Sequence, residues 1–135
     1  MRLFIYCADP REKADLGTKI DQALILPGEK VARISLFGGP IFIAHPIHFR
    51  DSASMLLSQI DFAVQKFLVE EIVAIGHDCG FYDTTPALSA LSKEDKQRDI
   101  LRVRRALANR HPARAIRAFF DSSDESKTCF ESLTG

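Results

Sequence analysis

Tryptophan is absent, and neither charge sign dominates: 18 basic and 18 acidic residues cancel over 135 positions. The first absence leaves ten phenylalanines to supply the aromatic bulk, which reads as core or as a buried interface. The second excludes a strong global attraction to nucleic acid or to an anionic membrane surface. No stretch approaches the roughly 18 apolar residues of a membrane span. The opening run MRLFIYC meets Asp9 too early for the roughly 7–15 apolar residues of a secretory signal. Cysteine is scarce and odd in number (Cys7, Cys79 and Cys129), which argues against a disulfide framework. The expectation is a cytoplasmic, reduced protein whose thiols are metal ligands or reactive groups. No G-x-G-x-x-G and no phosphate loop exists; Gly38-Gly39 reads as a turn.

What remains is an alternation of strand and helix signals. Residues 2–7 and 71–76 are short apolar runs of the kind buried on both faces of a sheet. Residues 30–36 alternate as a further strand, and residues 114–120 as the last. Between them, helical periodicity covers residues 52–69, capped by Asp51 or Ser52, and residues 93–109, ended by His111-Pro112. Asp9 is placed to cap a helix starting at Pro10 and stopping before Pro27-Gly28. Residues 41–50, broken by Pro46, read as an irregular loop or edge segment, and residues 84–91 as a short helix. This predicts one α/β domain over residues 1–120, three-layered around a mostly parallel sheet of about four or five strands. Residues 121–135 read as a polar tail anchored by Cys129 and Phe130.

In a parallel sheet, ligands sit beyond the carboxyl ends of the strands. Topology alone therefore brings Cys7-Ala8-Asp9-Pro10-Arg11 and His77-Asp78-Cys79-Gly80 to one edge. Two thiolates and an imidazole suit zinc, and three protein ligands leave a fourth position for water or substrate. Zinc with an open position lowers the pKa of its bound water to about 7. Asp9 can fill that position or orient the water, and Arg11 can hold Asp9 in a bidentate pair.

Cys7-x-Asp9-x-Arg11 and Gly76-His77-x-Cys79-Gly80 together resemble the β-class carbonic anhydrase family over about residues 2–120. The ending Cys79-Gly80-Phe81-Tyr82 is similar to that of a divergent, shorter branch. The resemblance implies that Cys7, His77 and Cys79 bind zinc and that the Asp9–Arg11 pair governs access to it. It further implies reversible hydration of carbon dioxide to bicarbonate, or the chemistry of a close hydrolytic relative, and a homodimer or larger assembly with the site near the subunit interface. Tyr82 is expected to line the substrate pocket. The family's second motif is His-x-x-Cys; here it is one residue shorter, and Gly76 stands at the family's His position. At an extended strand end, residues two apart point to one side, so His77 and Cys79 are expected to converge and Asp78 to turn away.

Other readings accompany this one. Cys7 and Cys79 can be buried hydrophobes or a redox pair. A thiol phosphatase fails at Lys13, where its defining Arg belongs. A silent homodimer binding metal or a small ligand without turnover is the leading alternative. His45 and His48 read as loop or packing residues. The segment 93–117 carries nine basic and three acidic residues, read as a solvated face or one meeting acidic groups rather than a nucleic-acid stripe.

Overall fold

The computed structural model describes residues 1–10, 15–122 and 130–134. Strands β1 (Arg2–Cys7), β2 (Val31–Leu36), β3 (Glu71–His77), β4 (Ala115–Asp121) and β5 (Phe130–Leu133) form one sheet in the order β2-β1-β3-β4-β5. The first four run parallel and β5 pairs antiparallel with β4. Helices α1 (Leu16–Ala23), α2 (Ile41–Ala44), α3 (Arg50–Lys66) and α4 (Lys93–Arg110) flank it.

The period-two alternation of the strands sorts the core onto two faces. Leu3, Ile5, Ile72, Ala74 and Ile116 face Leu56 and Ile60 of α3 and Val103 and Leu107 of α4. Phe4, Tyr6, Val73, Ile75 and Phe119 face Leu16 and Ile20 of α1 together with Tyr82 and Leu88. Central strands covered on both faces must be continuously apolar, and this is why residues 3–7 and 72–75 are. Each fully buried Leu or Ile contributes about 1.5–3 kcal/mol.

The β1–β3 ladder ends at Ile5↔Ala74. Each strand nevertheless continues along its outer neighbour, β1 to Cys7↔Leu36 and β3 to His77↔Asp121. A gap therefore opens between the carboxyl ends of β1 and β3, where the strand order reverses.

Several boundaries differ from those expected. α1 is capped not by Asp9 but by Asp15, whose carboxylate accepts the Thr18 N–H at 2.8 Å. Residues 11–14, which were to form its first turn, lie outside the described residues. Residues 41–44 are the helical turn α2 rather than an edge segment: Pro40 is tolerated at its start, and Pro46 bars its continuation. α3 begins at Arg50 with no side-chain cap, because Phe49 carries on the hydrogen bonding from α2, giving its N–H to His45 and accepting from Ala53. In place of a helix over 84–91 there is a 3-10 turn, Gly80–Thr84. Residues 130–133, read as tail, are β5; Phe130 and Leu133 pack on the core there.

α4 starts at Ser92 with a capping box closed by Asp95. It crosses β3 closely enough that a Cβ on Gly76 would overlap the Ile100 side chain. Gly76→Ala should therefore lower unfolding free energy by about 1–3 kcal/mol. Denaturant titration checks this, and an unchanged midpoint would refute the close crossing.

Candidate metal centre

The gap between β1 and β3 collects three donors. Cys7 ends β1, His77 ends β3, and Cys79 follows in extended backbone (φ −87°, ψ 127°). His77 and Cys79, two residues apart on extended chain, present their side chains to the same side. One ligand atom from each of Cys7, His77 and Cys79 lies within 4.8 Å of the others. Asp78 turns outward, 81% exposed, to pair with Lys96.

Backbone amides hold both sulfurs. Gly38 N–H donates to Cys7 Sγ at 3.3 Å, and Phe81 N–H to Cys79 Sγ at 3.4 Å. Gly38-Gly39 is thus more than a turn. Gly39 has φ +48°, and a Cβ there would sit 2.8–2.9 Å from the Tyr6–Cys7 main chain. Only glycine lets the loop approach β1 closely enough to aim the Gly38 amide at the thiol.

The two sulfurs lie 3.4 Å apart, both in buried residues. Either sulfur can donate to the other at this distance. The hydrogen bond from Cys79 is the main influence holding the Cys7 thiol below its ordinary range, against burial and with help from His77 and the Gly38 amide. The same bond, then burial and the charges of Cys7 and Asp9, pushes the Cys79 thiol up. His77 Nε2 is buried with no hydrogen-bond partner among the described residues. Behind the donors lies a small void of about 10 Å³, bordered by all three with Gly76, Tyr82 and Ile100. That is about the space of one water-sized sphere. An unpartnered imidazole nitrogen, a sulfur carrying charge and an ion-sized void together suit a soft or borderline metal cation.

In front, Cys7 and Cys79 form part of the wall of an open pocket of about 430 Å³, lined by Asp9, Pro10, Phe37, Gly38, Gly80, Phe81 and Thr84. Asp9 thus stands at the mouth with the thiols. Arg11 lies outside the described residues, as does Cys129. Tyr82 borders the void rather than the open pocket, whose aromatic walls are Phe37 and Phe81.

One cluster is not evident from local sequence pattern. Asp99, 2% exposed on α4, accepts the Tyr82 hydroxyl at 2.8 Å. His45 Nε2 lies 2.7 Å from the same oxygen, and Arg102 bonds the other at 3.3 Å. His45 is therefore the polar partner of a buried carboxylate. The available signal was an acid inside the apolar stripe formed with Ile100, Val103 and Leu107. Burial and the Asp99 charge hold the Tyr82 hydroxyl well above its usual range, as a donor.

The basic segment is largely consumed internally. Lys93, Lys96, Arg98, Arg102, Arg110 and Arg117 pair with Glu131, Asp78, Asp95, Asp99, Asp61 and Glu71 in turn. Among the described residues, no helix is long and apolar enough to cross a membrane.

Comparison with solved structures matches the crystal structure of the β-carbonic anhydrase CafA of the fungal pathogen Aspergillus fumigatus. The TM-score is 0.53 at 21% identity, over 98% of this chain and 74% of that one. At that identity the likeness establishes a shared fold. No protein-family model matches the chain, and no curated sequence does.

A depressed Cys7 thiol predicts one thiolate per metal-free chain at neutral pH. Its ultraviolet absorbance should disappear only on acidification well below the ordinary thiol range. Because the folded-state value is lowered, the stability it contributes is full above the unfolded thiol value and declines as pH falls toward the folded one. Cys7→Ser should abolish the absorbance; its persistence would place the charge elsewhere.

Proposed function

We propose that this chain is a zinc-dependent, carbonic anhydrase-like enzyme that reversibly hydrates carbon dioxide. The observation that carries the reading is the convergence of Cys7, His77 and Cys79 on a carbonic anhydrase-like fold, with the two cysteines reaching the wall of an open pocket. Cys7, His77 and Cys79 would hold the zinc. When bound, zinc supplies a nucleophilic hydroxide from water at neutral pH.

The chain's own residues do the rest. Phe37 and Phe81 give the pocket apolar walls that suit a small uncharged substrate. Asp9, at the mouth, would accept a hydrogen bond from the reacting water and orient it, or take the fourth ligand position itself. Arg11 orients Asp9. Tyr82 shapes the rear wall and, through Asp99, keeps the donors dry. Phe37, 64% exposed at the rim, is apolar surface that a second copy would cover, consistent with a homodimer. Two ligating thiols would stay reduced in the cytoplasm, the compartment we propose.

Metal content of chelator-treated protein reloaded with zinc tests the reading. About one zinc per chain is expected, with Cys79→Ser losing it. Asp9→Ala should keep the metal and lose at least about a hundredfold in carbon dioxide hydration. Zinc-loaded protein without hydration activity would instead mark the silent homodimer. A monomer by light scattering at micromolar concentration would remove the interface from the proposal.

A further inference from the structure

We infer that Cys7 and Cys79 are also a redox-active dithiol, so that the site exists in two exclusive states, metal-holding and disulfide-closed. The inference stands on the sulfur geometry, and only the exclusion of metal rests on the function proposed above. The sulfurs lie 3.4 Å apart with no side chain between them. A disulfide needs about 2.05 Å, so a combined sulfur movement of roughly 1.4 Å closes the bond. Beyond Ile5↔Ala74 no ladder pairing joins β1 to β3, so the sulfurs approach across the gap by side-chain rotation while Cys7 stays paired with Leu36 of β2. Both sulfur-bearing residues border the open pocket, which admits a small oxidant even though each is only 2–3% exposed. Third, the chain distance is large: the bond would close a loop of about seventy residues, a long loop in the sense that favours a crosslink entropically.

With hydrogen peroxide as oxidant the chemistry balances. The Cys7 thiolate attacks one peroxide oxygen; the O–O bond breaks, hydroxide departs, and Cys7 becomes a sulfenic acid. The Cys79 sulfur then attacks the Cys7 sulfur, the S–S bond forms and the S–O bond breaks. The hydroxide released in each step takes up a thiol proton, so two thiols and one peroxide give one disulfide and two waters. A dithiol reductant reverses the change. The disulfide removes two of the three donors, so a metal cannot remain; conversely, a bound metal occupies the lone pairs that attack peroxide.

The test uses the full chain carrying Cys129→Ser, titrated with hydrogen peroxide in metal-free and zinc-supplied form. Free thiols, intact mass, crosslinked peptides and released zinc are followed. In the metal-free protein the expected result is loss of both thiols and of two hydrogens in mass, a Cys7–Cys79 crosslinked peptide, and full recovery with dithiothreitol. Zinc should slow the reaction at least about tenfold, with one zinc released per disulfide. Oxidation that stops at a sulfinic acid on Cys7 without a crosslink would overturn the dithiol. So would crosslinks confined to pairs of chains. Disulfide formation in protein that never takes up zinc would sustain the dithiol and remove the metal reading. Zinc uptake without any disulfide would do the reverse.

Discussion

Beyond Ile5↔Ala74, β1 and β3 no longer bond each other, yet each remains fixed to its outer neighbour for two or three further residues. Neither strand end can drift, and main-chain pairing cannot close the gap between them. This is the reversal point of the 2-1-3-4 order, where the connections leave toward opposite sides of the sheet. The three candidate metal donors are attached to it. Cys7 and His77 are the last residues of the diverging strands, Cys79 is the first turn beyond, and the Gly38-Gly39 loop returns from β2 onto the same gap. Moving any one strand end would separate the three donors.

Such a gap carries an electrostatic cost that the sequence meets locally. A buried thiolate in low dielectric is unfavourable unless hydrogen bonds or a cation answer it. Gly38 and Phe81 amides answer part of it, and the hydrogen bond between the sulfurs answers more. That arrangement leaves two close buried sulfurs, one unpartnered imidazole nitrogen and a void about the size of a single ion. In the proposed function a divalent cation would displace the remaining proton and satisfy all three groups at once. Oxidation resolves the same crowding another way, by removing both thiols. Metal binding and disulfide closure are thus alternative answers to one problem, two sulfurs held close at the end of a diverging strand pair.

How far this was legible in the sequence depends on how local the cause is. β1 and β3 were readable because a strand buried on both faces must be apolar throughout, and residues 93–110 because a capping box and an apolar stripe are both written locally. The shared sheet edge for Cys7, His77 and Cys79 followed from topology alone. The helix start was misplaced because Asp9 and Asp15 are both plausible caps by type; only the site, which draws Asp9 to the pocket mouth, separates them. The role of Gly38 and Gly39 depends on how closely β2's exit loop lies against Tyr6 and Cys7, a contact between segments some thirty residues apart. β5 was missed because its pairing with β4, not its own four residues, makes it a strand.

The shortened His77-x-Cys79 spacing bears on how such a site tolerates change. Residues two apart on extended backbone face one way, so the removal of a residue from a His-x-x-Cys loop need not scatter the ligands if the strand runs on to His77. The price is rigidity: an extended ligand pair has no loop slack with which to adjust. The surroundings compensate from behind. Asp99 draws donors from the end of α2, from the 3-10 turn and from its own helix, through His45, Tyr82 and Arg102. A buried carboxylate with three partners is costly to disturb, because removing one leaves the others unanswered. It therefore locks Tyr82 against the void and gives the donors a firm rear wall, while the front, lined by Phe37, Phe81 and Asp9, stays open. A rigid back and an accessible mouth place any reaction of the centre on the pocket side, where Asp9 stands.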